Sequence, residues 1–205
     1  MPLDLKALIS PASTAVITSE CQRGVVGDLS NLPALADVAH GGMLDRIAEI
    51  CDAARRVSST VIHCTAERRA DGVGANRNSR LFQHMARAKH PLLHGSRAAE
   101  IVSEIDVLED DLVLSRLHGL SPFQGTELDF ILRNSGISTI VATGVSVNVA
   151  IQALTYEAVS AGYQVVIPRD AVAGFPEGYA DMVFEHSLGA IATLVSTADV
   201  LDAWR

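Results

Sequence analysis

The stretch Thr139–Ala158, TIVATGVSVNVAIQALTYEA, decides the fold. Thr139–Thr143 is a β-branched, apolar run of the kind that fits a strand buried on both faces. The pattern changes at Gly144. From Asn148 to Ala161 apolar residues recur at helical spacing, and Gly162 follows as the stop. A strand that turns straight into a helix leaves backbone N–H groups and first-turn side chains at the carboxyl edge of a sheet, where open α/β sheets bind ligands. The turn here offers Ser146, Asn148, Val149 and Ala150.

Outward from that turn, Thr14–Thr18, Thr60–Cys64, Leu112–Leu114 and Gln164–Ile167 read as strands of the same kind, and Ala198–Leu201 as a short sixth strand at the edge. Between them, Met43–Val57, Thr126–Asn134 and Ala180–Leu194 carry apolar residues at helical spacing. Such alternation predicts βαβ units with right-handed crossovers, hence a three-layer, doubly wound α/β fold on a mainly parallel six-stranded sheet. The chain has 205 residues and no repeat, linker or low-complexity tract, so one domain over residues 1–205 is expected. The segment between Cys64 and Leu112, with AERRADGVGANRNSR and KHPLLHGS, is irregular and long. Loops of that length serve as lids or subunit contacts, so a homo-oligomer (dimer or tetramer) meeting through residues 66–97 is expected.

Composition removes several function classes. With 48% hydrophobic and 20% charged residues the chain has the makings of a packed core rather than disorder. A net charge of −8 opposes a nucleic-acid partner, and the local arginines (Arg68, Arg69, Arg77, Arg80) are too few to reverse that. Cys21, Cys51 and Cys64 form no CxxC pair, so neither a disulfide framework nor a zinc knuckle is suggested. The stretch MPLDLKALIS lacks a signal-type apolar region, and no apolar run approaches the roughly 18 residues of a membrane span. A cytoplasmic protein with a small-molecule substrate and no membrane partner is expected.

In a parallel sheet the residues just past each strand converge. Here they begin SECQRG, HCTAERR, SRLHGLSPF, GVSVNVA and PRDAVAGF. Glu20 leaves a hydrophobic strand, where burial favours the neutral acid. Arg116 and His118 leave the third run. A Glu20–Arg116 pair would hold the carboxylate ionised, because arginine stays protonated. A Glu20–His118 pair would instead share a mobile proton near neutral pH. Gln22 suits either a substrate contact or a brace for the loop backbone. Asn148 suits a helix cap with a ligand contact besides. Phe123 and Phe175 either line a pocket or seal it, and Asp170 structures the turn after its strand. Cys21 and Cys64 lie near the same edge as conceivable displaced nucleophiles, although free cysteine is ordinarily inert packing, as Cys51 is on a stripe with Ile47 and Ala54.

These positions, in this order, resemble the isochorismatase-like (cysteine hydrolase) superfamily over nearly the whole chain, from Ala15 to about Leu201. Glu20-Cys21-Gln22 resembles the family's D-x-Q start. SPFQGTELDFILRNSGISTIVATGV resembles its S-x-F-x-x-T-x-L segment and fourth strand. GVSVNVAI matches G-V-x-T-N-x-C-V, and GYQVVIPRDAVAGF matches the fifth strand with its terminal D-A. The resemblance implies an Asp–Lys–Cys triad, and this chain departs from all three. Glu20 stands at the acid, Arg116 or Leu117 with His118 nearby at the lysine, and Ala150 at the nucleophile. Thiol chemistry at that turn is therefore excluded. The D-x-H metal motif of nicotinamidase-like members has no counterpart in HCTAERRADG, so no metal is expected, nor any cofactor.

The resemblance further implies a route that needs no cysteine, since members that cleave a vinyl ether use an acid on the first strand to protonate the substrate. Glu20 would take that part, with the N–H groups of Val149 and Ala150 holding an anion. If Arg116 touches Glu20 directly it opposes the neutral acid, and then suits a substrate carboxylate. The catalytic set is thus Glu20, Arg116, His118 and the Ala150 position, and the substrate set Gln22, Phe123, Ser146, Asn148 and Val149. The expected activity is hydrolysis of a small anionic organic molecule by a cysteine-independent acid–base mechanism, the alternative being a silent domain that binds a small molecule or acts as a scaffold. A rival order, Ser146, Asp170, His186, approximates an α/β-hydrolase triad. However, Asn148 replaces the last glycine of G-x-S-x-G and no HGGG-like segment precedes it.

Overall fold

The computed structural model describes residues 4–176 and 178–205. In chain order its strands are β1 (Thr14–Ser19), β2 (Thr60–Ala66), β3 (Leu112–Arg116), β4 (Thr139–Val145), β5 (Gln164–Pro168), β6 (Val172–Ala173) and β7 (Thr193–Val195). Its helices are α1 (Leu5–Leu8), α2 (Pro33–Ala39), α3 (Met43–Arg56), α4 (Arg80–Met85), α5 (Leu128–Asn134), α6 (Ala150–Ser160), α7 (Tyr179–His186) and α8 (Thr197–Ala203). The strands lie in the order β3-β2-β1-β4-β5-β7, with β6 prolonging the sheet beside the end of β4, and every pairing is parallel. The α/β expectation holds, with one small strand more than expected.

The alternation of strand side chains makes the two outer layers. Val16, Val61, Val141 and Val166 face one core with α2, α3 and α8. Ala15, Ile17, Ile62, Ile140 and Ile167 face the other with α5, α6 and α7. Strands with apolar residues at both parities must be covered twice, which is why these runs look continuous rather than alternating. Burying each such Ile or Val contributes roughly 1.5–3 kcal/mol. The chain builds outward from β1 to β3 and then returns to lay β4 on β1's other side, so the topological switch lies between the carboxyl ends of β1 and β4. There the strands close tightly. A Cβ added to Gly144 would lie 2.3 Å from the Ser19 carbonyl oxygen, and its φ is +97°. Only glycine fits.

Two expectations are corrected. Ala198–Leu201 is helical, and the edge strand is Thr193–Val195, paired with β5. Ser196 and Asp199 form a capping box that starts α8, and Asp170 accepts the Thr197 N–H at 2.8 Å. Those acceptors start a helix where Val200 and Leu201 alone suggested a short apolar strand. The helix expected over Ala180–Leu194 stops at His186, and a 3₁₀ turn at Leu188–Ala190 leads into β7. A Cβ on Gly189 would lie 2.6 Å from the Phe184 carbonyl oxygen, which marks how tightly the chain doubles back there. The irregular segment folds over the sheet's carboxyl edge, tied down by an Arg68–Leu93 bridge and by a Gln22–Ile101 bridge.

Candidate active site

Glu20 is the first residue past β1 and has φ +54°, a left-handed conformation that costs a residue with a side chain on the order of 1–3 kcal/mol. Its N–H donates to Cys64 O at 2.9 Å, and Gln22 N–H donates to Glu20 O at 2.8 Å, closing a tight turn. Gln22 holds that turn in place. Its side chain is 0% exposed, accepts the Ala66 N–H at 2.8 Å and donates to Ala66 O and Ala99 O at 3.1 and 2.9 Å. With both ends of the amide occupied by backbone, Gln22 is a brace and does not line the cavity.

Arg116 ends β3, is 6% exposed, and makes the ion pair with Glu20 through Nη2. Its Nη1 is buried without a hydrogen-bond partner among the described residues. His118 lies on the exposed turn that follows, its ring against Gly125, and makes no hydrogen bond to Glu20. Of the two partners left open by the sequence, the geometry selects Arg116. A direct arginine partner opposes the neutral acid form that strand-end burial would favour.

Glu20 and Arg116 open on a cavity of about 880 Å³. Ser146, Asn148, Val149 and Ala150 also line it, as do His118 and Phe175. The Val145–Ser146 peptide is cis. The Val149 N–H is spent on Ser146 O at 3.1 Å, as is that of Ile151 at 3.0 Å, so Val149 cannot serve the anion through its amide. The Ala150 N–H has no acceptor among the described residues and remains for a ligand. Asn148 does not cap α6. Its amide instead bonds the N–H and C=O of Phe175, clamping the strand-to-helix connection that follows β6. Phe123 lies in the apolar core, edge-on to Tyr163 with ring centroids 5.7 Å apart, and is absent from the cavity wall.

The thiols stand apart. Cys21, Cys51 and Cys64 are all free and buried. Burial drives Cys21 far above the ordinary thiol range and pushes Cys51 and Cys64 up to about 12, and neither edge cysteine lines the cavity. The rival triad is not assembled. Ser146 faces the cavity, Asp170 bonds the start of α8, and His186 sits on α7 nearest Glu185. Among the described residues no three His, Cys, Asp or Glu side chains gather as a metal-binding group.

Sequence reasoning passed over Glu67, which lies just past β2 and on the cavity wall. It accepts from Ser115 Oγ at 2.7 Å and pairs with His94 Nδ1 at 2.6 Å. The same past-the-strand rule that found Glu20 points to it. Nothing in the pattern signals Arg68, Arg77 and Arg87, which reach the cavity from the irregular segment.

Proteins of known structure share this fold. A cysteine hydrolase from Pseudomonas syringae pv. phaseolicola 1448A superposes with a TM-score of 0.79 at 26% identity, over 96% of this chain and 94% of that one. N-carbamoylsarcosine amidase from Thermoplasma acidophilum gives a TM-score of 0.71 at 22% identity, over 90% and 96% of the two chains, a likeness of fold. Isochorismatase family protein YwoC of Bacillus subtilis (strain 168) is 37% identical over 79 residues, 38% of this chain and 41% of that protein. The chain thus spans about two-fifths of the length of the curated relatives it matches. The Isochorismatase domain model matches residues 14–199, from the first residue of β1 into α8 and through the turn that carries Ala150. On that match, the chain belongs to the isochorismatase family.

Proposed function

We propose that this protein hydrolyses a small anionic organic molecule without a thiol nucleophile, with Glu20 as the acid–base group. The observation that carries the reading is Glu20 itself. It is held in a left-handed turn, paired with a buried arginine, and faces a large cavity that Ala150 also lines, the residue that the sequence resemblance aligns with the family's attacking cysteine. Strain of this kind persists where the surroundings over-determine it and is concentrated at functional sites. In the ion pair Glu20 enters the reaction as a carboxylate. It takes a proton from water, the hydroxide oxygen bonds to the substrate carbon, and the proton passes on to the leaving group as that group's bond to the same carbon breaks. Arg116 balances the charge that develops on the substrate oxygen, and the Ala150 N–H is a second donor to it.

Turnover of isochorismate and of simple amides by wild type and Glu20→Gln tests the proposal. A drop of about 10²–10⁴-fold is expected on the substrate that reacts. Equal background rates for both proteins overturn it and favour the second reading, a silent binder, for which Ala150 is the supporting observation. Iodoacetamide should leave activity intact, because all three thiols are buried and shifted up. Loss of activity with carbamidomethylation at Cys21 or Cys64 would mean the nucleophile lies elsewhere. The reading includes a cytoplasmic location, which suits free cysteines, and self-association through residues 66–97. Sedimentation analysis of the intact protein checks the latter.

A further inference from the structure

The cavity's charge is unbalanced in one direction. Its lining holds three acids, and each is already engaged: Glu20 by Arg116, Glu67 by Ser115 and His94, and Asp71 by Arg69. Three lining arginines, Arg68, Arg77 and Arg87, make no salt bridge among the described residues. In a chain of net charge −8 this is a local surplus of positive charge at one cavity. Two of its nitrogens are also unsatisfied. Arg68 Nε and Arg116 Nη1 are buried and have no hydrogen-bond partner among the described residues. A buried N–H without an acceptor is costly, and native proteins keep few of them.

Much of the remaining wall is apolar, although Asn31, Asn76, Gln83 and His118 also line it. Leu32 and Leu35 contribute from α2 and its cap, Leu81, Phe82 and Met85 from α4, and Leu117 from the turn after β3. At about 880 Å³ the cavity is near the upper end of the range for small-molecule sites, far more than a two- or three-carbon acid fills. An apolar chamber with spare guanidinium groups selects an anion carrying a substantial apolar body, because neither group alone satisfies the other half of the wall.

From this we infer that the ligand is an amphipathic carboxylate, its anionic group held by Arg68 and its aryl or alkyl body against α2 and α4, with Arg77 and Arg87 supplying further positive charge. This rests on the reading of the cavity as the substrate site and narrows the substrate class from small anion to arylalkyl or acyl carboxylate. Arg68 is then a specificity-determining residue on a segment that the acid–base chemistry does not use.

Calorimetric titration of the intact protein with phenylacetate, 4-phenylbutyrate and the neutral 4-phenylbutyramide tests it without any turnover. Phenylbutyrate should bind more tightly than phenylacetate, by about fourfold per methylene, and at least tenfold more tightly than the amide. Arg68→Met, which keeps the apolar stem, should weaken phenylbutyrate by about tenfold or more. Arg77→Met, at an exposed position where folding is not at stake, should weaken it by a few-fold and reduce the salt dependence. Equal affinity for acid and amide, no gain with chain length, no effect of either substitution, or no binding of any probe up to millimolar concentration overturns the inference. Tight carboxylate binding by a protein that turns over neither isochorismate nor amides sinks the hydrolase reading alone and leaves this one standing.

Discussion

Strand β3 carries an arginine–carboxylate pair at each end, and the two pairs are finished to different degrees. At its start the Asp111 side chain is 3% exposed and accepts from Arg55 Nη2 and Nε at 2.7 and 3.3 Å and from the Leu108 N–H at 2.8 Å. His63 Nε2 lies 3.4 Å from it, and Thr18 Oγ1 lies 2.8 Å from the other ring nitrogen. At the strand's end Arg116 meets Glu20 and keeps an unpartnered nitrogen beside a cavity. A buried charge pair supports a fold when its remaining donors and acceptors are matched and is expensive when they are not. The completed pair belongs to the architecture. On the proposed function, the incomplete one is matched to something that comes from outside.

The broadest way to break that comparison is to cut each pair. Arg116→Met should lower turnover by about 10²-fold or more, since it removes charge where charge develops. Its cost in stability should be the smaller of the two, because water in the cavity can reach the Glu20 carboxylate left behind. Asp111→Ala should cost about 3–5 kcal/mol, as loss of one partner from a closed pair does, and spare the turnover of the molecules that fold. Urea unfolding and initial rates on both variants check this. A reversal, with Asp111→Ala inactive but stable, would dissolve the distinction.

A subtler effect is the response to acid. Burial pushes the His63 imidazole below its ordinary value, against the pull of Asp111 and with help from the nearby Arg55 charge. Burial alone would raise Asp111, but the bonds from Arg55 and the Leu108 N–H outweigh it and hold the carboxyl low. Both shifts have the same sign for stability. Where the unfolded chain binds more protons than the folded one, stability falls as pH falls. His63 contributes fully above the unfolded imidazole value near 6.5 and loses its contribution as pH drops towards the lower folded value. Asp111 does the same below about 4. Urea midpoints should therefore be level from pH 8 to 7 and decline from about 6.5 downward. His63→Gln should flatten the slope between 5 and 7, and an unchanged slope would place the acid sensitivity elsewhere.

The strand framework was legible because buried parallel strands advertise themselves: Thr14–Ser19 and Thr139–Val145 are apolar at both parities, and the turn after the second needs Gly144. Glu20 and Arg116 followed from the rule that strand ends converge, although the choice of partner did not, since Arg116 and His118 are two residues apart and only the end of β3 tells which one turns inward. Ala198–Leu201 was misread because Val200 and Leu201 look like the end of a short apolar run, while the signal for a helix is the cap made by Ser196 before the run and Asp199 within it. Gln22 and Asn148 look like ligand contacts by type. Both are spent on backbone groups of distant segments, Ala66, Ala99 and Phe175. Arg68, Arg77 and Arg87 were invisible as a group because a segment without periodicity gives no clue to which side chains it turns towards the sheet.

The smallest effect sets the two left-handed residues against each other. Among the described residues Glu20 and Ser58 are the non-glycines with positive φ, at +54° and +59°. Ser58 follows the C-cap of α3, is exposed, and its N–H donates to Arg55 O at 3.0 Å, while Ser59 N–H donates to Ala54 O at 2.8 Å. That is the place where helices favour glycine. Ser58→Gly should relieve about 1–2 kcal/mol of backbone cost and give back roughly half of it as added freedom of the unfolded chain. A net gain near 0.5–1 kcal/mol, with turnover unchanged, is expected by urea titration. Glu20→Gly relieves the same backbone but strips Arg116 of its partner, so the gain should vanish and turnover should fall to the level of Glu20→Gln. If Ser58→Gly stabilises nothing, left-handed backbone is cheap in this fold. The turn at Glu20 would then no longer count as a conformation maintained for the sake of the site.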